Sequence, residues 1–373
     1  MSMFVSASAA QPGAGVDAVL TTTVVDDVVT TDDVVALRDA LRGALGTTRQ
    51  DLAPAVDADW RTSWPMLAEL GLPALCAPEE KDGFGLRADA AVAAATELGA
   101  ALHGGPFAGL TASVHALAHA ADDPVADALL AGVLTGRRVC AFGRLGRDGR
   151  VGQNERVARL VDGVPGADAL LLLDDSRDDL VLLLDPADWT ADPSRHRFDI
   201  TRTCADVMPV AGRGHRVAVP GDAARRAVAL YELLLAADAV GGVRRMLDRT
   251  VAYAGQRQAF GRPIGGFQAV QHRLADHAVR ARGMTLVVAE AARRFDDEPS
   301  QTRRDVALAS VSVSSGAPRL LHDLLQLTGG IGFTWEYGLH FYERRAHQDA
   351  RLAANPRAAQ RSLADVEGWT DGR

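Results

Sequence analysis

Arg257 and Arg262 flank a Phe-Gly pair in QRQAFGRPIGGFQAVQHRLAD, residues 256–276, between two stretches of helical periodicity. A guanidinium beside a glycine turn suits paired donation to phosphate oxygens, because the turn brings the main chain close to the anion. LTGGIGFTWE, residues 327–336, is a second such place, where Gly329-Gly330 either ends a helix or admits a ligand to the backbone. His115 and His119 in SVHALAHAA put two imidazoles on one helix face, the spacing of zinc ligands. Residue 116 is Ala rather than the Glu of H-E-x-x-H, and no third ligand suggests itself. GRLGRDGRVG, residues 143–152, spaces glycines between arginines but has neither GK[ST] nor G-x-G-x-x-G after a strand, so it reads as a solvated loop. No Ser-His-Asp or Cys-His arrangement is readable, and Glu79 and Glu80 follow a proline in an apparent loop.

The elements that must position these residues fall into three zones. Residues 1–33, rich in Thr, Val, Asp and Ala, lack clean periodicity and read as a loosely packed arm. Residues 34–138 are helical in pattern throughout. Between 139 and 221 the pattern changes to short apolar runs, with DALLLLDDSRDDLVLLLD reading as two strands around a polar turn, and a small β domain is expected. From 222 to 373 come four long helical stretches, roughly 222–255, 267–295, 302–327 and 335–354, joined as antiparallel neighbours in a bundle. Pro318 removes a backbone donor from the third, which predicts a kink or break there. The fold class is therefore mainly α with a middle β domain.

The 373 residues carry 40 Lys plus Arg against 48 Asp plus Glu, a net charge of −8, without a basic tract, which argues against nucleic acid. The apolar runs are too short for the roughly 20 residues a bilayer span needs, and the N-terminus lacks a secretory pattern. Cys76, Cys140 and Cys204 lie far apart without metal or redox spacing, so free thiols and a cytoplasmic protein are expected.

Together these elements resemble the acyl-CoA dehydrogenase family, whose C-terminal bundle carries R-x-x-F-G-x-P-I-x-x-F-Q-x-x-Q followed by Q-x-x-G-G-x-G. The matching residues are Arg257, Phe260, Gly261, Pro263, Ile264, Phe267, Gln268 and Gln271, then Gln326, Gly329, Gly330 and Gly332. LAELGLPALCAPEEKDGFGL near the N-terminus resembles a third family element, so the likeness covers nearly the whole chain after residue 34. The resemblance implies an N-terminal helical domain, a small β-barrel or sandwich and a C-terminal four-helix bundle. It implies FAD at a subunit interface, with Arg257, Phe260, Gln268, Gln326, Gly329 and Gly330 reaching the pyrophosphate and adenosine end of a flavin held mainly by the neighbouring subunit. The alternative for Arg257 is an ion pair with a bundle carboxylate.

The family's ring and thioester loop, T-E-P-x-x-G-S-D with a later W-x-T or W-x-S strand, has no counterpart in CAFGRLGRDGRVGQ or RLVDGVPGADALLLL. The usual catalytic Glu of Y-E-G-T, 27 residues after Gln326, falls on Ala353. Some relatives place the base 26 residues before Arg257, which is Tyr231, with Glu232 next to it. A one-residue offset turns a helical side chain by about 100°, so Glu232 serves as base only if the helix shifts register, and Asp238 is a further candidate. The donated half of a flavin site is kept while the chain's own half is eroded. This implies a homologous catalytic acyl-CoA dehydrogenase partner, as in α2β2 heterotetramers that act on bulky, steroid-type acyl-CoA substrates. The alternatives are a self-sufficient homo-oligomer using Glu232, and a flavin-free scaffold.

Overall fold

A computed structural model describes residues 31–46, 59–145, 157–174, 179–193, 198–353 and 356–369. The arm up to residue 30 and most of the GRLGRDGRVG segment lie outside the described residues. The N-terminal helices are α1 (Asp32–Leu45), α2 (Trp64–Glu69), α3 (Ala88–Ala100), α4 (Phe107–Ala118) and α5 (Pro124–Leu134). Side-chain capping starts α5, where Asp123 accepts from the backbone N–H groups of Val125 and Ala126 and Pro124 occupies the first turn. Strands then run from Cys140 to Ala218, and the bundle follows as α6 (Gly221–Gln256), α7 (Gln268–Asp297), α8 (Thr302–Thr328) and α9 (Leu339–Leu352), with α10 (Pro356–Val366) packed on α8.

The middle domain is one seven-stranded sheet, ordered β5-β6-β2-β1-β3-β4-β7: β1 (Cys140–Leu145), β2 (Ala158–Asp162), β3 (Ala169–Asp174), β4 (Asp179–Leu183), β5 (Trp189–Asp192), β6 (Cys204–Pro209) and β7 (His215–Ala218). Among the described residues only β1 and β3 pair in parallel, from Cys140 opposite Ala169 to Leu145 opposite Asp174. The unbroken LLLL of β3 has a physical reason, since both faces of this central strand are covered. Leu171 and Leu173 join the large core beneath the helices, while Leu170 and Leu172 enter a second core closed by Trp189 and Val207.

Helix α6 is buried all round over Leu233–Val243, where Asp238 is the one charged residue in an otherwise apolar or glycine stretch. It crosses α3 at two glycines. A Cβ on Gly99 would stand 2.0 Å from the Asp238 carbonyl oxygen, and one on Gly241 would stand 1.9 Å from that of Thr96.

The expected break at Pro318 is not found: α8 is continuous from Thr302 to Thr328 with Pro318 inside it. Pro318 and the flanking Ala317 and Leu320 are buried, so packing against α6, α7 and α9 holds the helix together although Ser314 loses its usual i+4 donor.

Candidate functional site

Arg257 ends α6, its backbone N–H bonding the Tyr253 carbonyl at 2.8 Å, and leads into a two-residue hairpin, β8 (Gln258–Ala259) and β9 (Arg262–Pro263). Phe260 and Gly261 form its loop with φ of 51° and 79°. Two left-handed residues in a row are what a tight hairpin matched to strand twist requires. A phenylalanine there is strained, and its ring is 96% exposed with only the edge of Phe267 near it, at 6.3 Å between centroids. Strain spent on presenting an aromatic ring to solvent points to an external partner for that ring.

Gln326, Gly329 and Gly330 close α8, and all three are exposed. Gly329 sits at φ 64°, ψ −147°, a conformation essentially restricted to glycine, and a Cβ on either glycine would meet nothing within 4 Å. Tyr337, just beyond this turn, packs edge-on against Tyr253 at 5.9 Å and lies under the Arg249 guanidinium at 4.8 Å. Those contacts tie the Gly-Gly turn to the last turns of α6, at the end of the bundle that carries Arg257.

The Arg257 guanidinium is exposed and has no acid partner among the described residues, so the alternative ion pair with a bundle carboxylate is not found. Ile331, Phe333 and Trp335, in and just after the Gly-Gly turn, are exposed as well. Gln268 opens α7 on the same side and is also exposed. A free cation, open glycines and two exposed amides fit an anionic dinucleotide such as FAD.

Ala353 and Glu232 line one narrow crevice between α6, α8 and α9, together with Ala236, Ala239, Ser310, Ser314, Ala346, Asp349 and Ala350. Its free volume is about 10 Å³. Glu232 thus faces the place where the family motif leaves an alanine, with no shift of helix register. Tyr231 instead packs on Phe142 of β1 at 5.3 Å. Burial pushes the Glu232 carboxyl up to about 7, against a smaller opposing effect of Arg144 and Arg303. Asp238 is not free to act as a base, because its carboxylate lies 2.8 Å from Arg202 and 3.5 Å from Arg345.

Asp238 belongs to a buried charged seam between sheet and bundle that the sequence did not reveal. Arg202 meets Asp162 at 3.0 Å and Asp349 at 3.3 Å, and Arg345 meets Asp199 at 2.8 Å. Four acids around two guanidiniums in a dry interface cannot all ionise cheaply. Burial raises the Asp162 and Asp349 carboxyls above the usual range, Asp349 strongly. Elsewhere His115 and His119 stack at 4.5 Å between centroids, burial pushes His115 down to about 3, and no cluster of three metal-binding side chains occurs among the described residues.

Comparison with known proteins decides the family. The acyl-CoA dehydrogenase N-terminal domain matches residues 31–137, and the acyl-CoA dehydrogenase C-terminal domain matches residues 222–355. The chain belongs to the acyl-CoA dehydrogenase family. FAD is the cofactor of that family. Acyl-CoA dehydrogenase IpdE2 of Mycolicibacterium smegmatis is 32% identical over 80% of the chain and 86% of its own length. Acyl-CoA dehydrogenase FadE34 of Mycobacterium tuberculosis is 32% identical over 85% of the chain, which spans only 45% of that relative. Among solved structures, the ChsE4-ChsE5 complex from Mycobacterium tuberculosis superposes with a TM-score of 0.81 at 24% identity, covering 92% of this chain and 99% of the matched one. No helix among the described residues is long and apolar enough to cross a membrane.

Proposed function

We propose that this chain is a subunit of an FAD-dependent acyl-CoA dehydrogenase, acting on a bulky, steroid-type acyl-CoA, and that it lends the Arg257 end of its bundle to the flavin of a homologous catalytic chain in a heterotetramer. FAD, when bound, accepts the hydride lost as an acyl-CoA thioester is desaturated at its α,β bond. Arg257 would donate paired hydrogen bonds to the anionic diphosphate, Gly329 and Gly330 would let a dinucleotide lie against the backbone, and Gln268, Gln326 and Phe260 would border it.

One observation carries this reading. Arg257 and Glu232 lie on the same helix 257 − 232 = 25 residues apart, which is roughly 37 Å at 1.5 Å per residue. That separation exceeds an extended FAD, so Arg257 and the Glu232 crevice of one chain serve different flavins. The exposed Phe260 in the hairpin after Arg257, and the exposed Ile331, Phe333 and Trp335 in and after the Gly-Gly turn, suit a protein neighbour at this end of the bundle. The loss of the family's flavin-ring hydroxyls and of its glutamate at Ala353 favours a distinct catalytic partner over a second copy. In the same direction, ChsE4-ChsE5 is a complex by its own description, and more than half of FadE34 lies beyond this chain's match.

The test is flavin stoichiometry. The chain purified alone is expected to carry little FAD, and co-purified with a homologue bearing T-E-P-x-x-G-S-D and Y-E-G-T it is expected to yield two flavins per tetramer. Stoichiometric FAD in the isolated chain overturns the reading. It would favour a self-sufficient enzyme with Glu232 as base, for which the Glu232 carboxyl facing the Ala353 crevice is the supporting observation. A scaffold role predicts that flavin content ignores Arg257 altogether.

A further inference from the structure

The crevice between α6, α8 and α9 has a composition that neither flavin binding nor packing explains. Five alanines line it, Ala236, Ala239, Ala346, Ala350 and Ala353, yet three polar side chains turn into it without a hydrogen bond among the described residues. Ser310 Oγ and Ser314 Oγ are buried without a hydrogen-bond partner, and the Asp349 carboxyl, likewise without one, has the Arg202 guanidinium 3.3 Å from one oxygen. Ser310 is 3% exposed and Asp349 is 2% exposed. Orphaned buried polar groups each cost about 1–3 kcal/mol, and two such hydroxyls beside an under-bonded carboxyl around one void rarely persist unless something fills it. The free volume, about 10 Å³, is close to the minimum for a single water. An apolar ligand of any size does not fit it.

We propose that a single bound water occupies this crevice, held by Ser310, Ser314 and Asp349, and that it is the internal polar neighbour of Glu232. The three anchors supply the two to four partners that a buried water needs. Asp349 takes the role of a positioning residue. It offers a carboxyl oxygen to the water, and its other face looks to the Arg202 guanidinium at 3.3 Å. Burial raises the Asp349 carboxyl, Asp238 on α6 and Asp199 before β6 add like charge beside it, and Arg202 and Arg345 oppose them. Glu232, on the far wall, is opposed only by Arg144 of β1 and Arg303 of α8, so a hydrogen-bonded water is a direct source of stabilisation for its carboxylate.

This inference stands apart from flavin sharing: a dry crevice would leave the Arg257 reading intact, and a failure of flavin sharing would leave the water in place. A crystal structure of the complex at high resolution is expected to show one water within hydrogen-bond distance of Asp349 and both serines, and an empty crevice overturns the proposal. The second measurement is the ionisation midpoint of Glu232 from its infrared carboxylate band, assigned with Glu232→Gln. Replacing both serines, S310A with S314A, removes two anchors without disturbing the Arg202 ion pairs. The midpoint is then expected to rise by about one pH unit, a tenfold change in ionisation ratio. An unchanged midpoint rejects the link between the water and Glu232.

Discussion

Glu232, about three turns into the first bundle helix, and Ala353, immediately after the last turn of α9, line one crevice. An alanine thus stands where the family motif leads one to expect a glutamate, while a carboxyl from α6 lines the same crevice. Burial raises that carboxyl from 4.5 to about 7. A carboxyl with a folded pKa above its unfolded one holds a proton in the native state that the unfolded chain has released. Stability therefore falls as pH rises from about 4.5 to about 7 and levels off above that. Glu232→Gln should flatten this slope and leave the protein more stable than wild type above pH 7, as thermal melts across pH would show. If the chain also catalyses, its rate should rise with pH to a plateau above about 7, and the same variant should lose it while keeping flavin.

Arg257→Ala separates cofactor binding from folding. The guanidinium is exposed and pairs with no described acid, so the melting temperature should change by less than about 0.5 kcal/mol equivalent. Hydrogen bonds to a charged group are worth about 1.5–3 kcal/mol, so FAD should bind the complex roughly 10- to 100-fold more weakly. Flavin absorbance after gel filtration of the co-expressed complex reads the effect. Unchanged retention would mean that this end of the bundle serves some other purpose.

Much of this was legible because the chemistry is local. The Phe260-Gly261 turn, the Gly329-Gly330 helix end and the arginine beside them announce themselves through residues whose backbone demands few others satisfy. The crevice was harder to read. The rule of about 100° per residue correctly separates Tyr231 from Glu232, but it cannot say which neighbour each direction meets: Tyr231 points to Phe142 of the sheet and Glu232 to α8 and α9. Arg345 and Asp349, spaced i,i+4, carry nothing in that spacing that separates a buried pair from an exposed one. They are buried because partners from residues 162, 199, 202 and 238 converge on them, and sequence spacing carries no record of that. Pro318 misled for a related reason, since local propensity favours a break and three packed neighbours override it.

The α3–α6 crossing makes a sharp packing prediction. Gly99→Ala and Gly241→Ala each drive a methyl into a main-chain carbonyl at about 2 Å, and neither helix can yield without moving the buried seam at Asp238. Overpacking of this kind typically costs about 1–3 kcal/mol or more. Urea unfolding should show both variants destabilised, whereas Gly43→Ala, with nothing within 4 Å of the added methyl, should be neutral or slightly stabilising. Equal behaviour of all three would refute the close crossing.

Arg345 is the strongest test of the seam. Its guanidinium donates to Asp199 at 2.8 Å, to the His103 carbonyl at 3.1 Å and to the Thr201 carbonyl at 3.0 Å, and lies 3.5 Å from Asp238. Those contacts join α9, the stretch between β5 and β6, the end of α3 and the middle of α6. Removing one side of a buried ion pair strands the other, at about 3–5 kcal/mol, so Arg345→Met should lose stability on that scale in urea. Arg345→Lys should restore little, because a point charge cannot reach Asp199 and two carbonyls at once in the fork geometry a guanidinium supplies. Full recovery of stability in Arg345→Lys would show that a point charge, rather than the fork of donors, is what this side chain contributes.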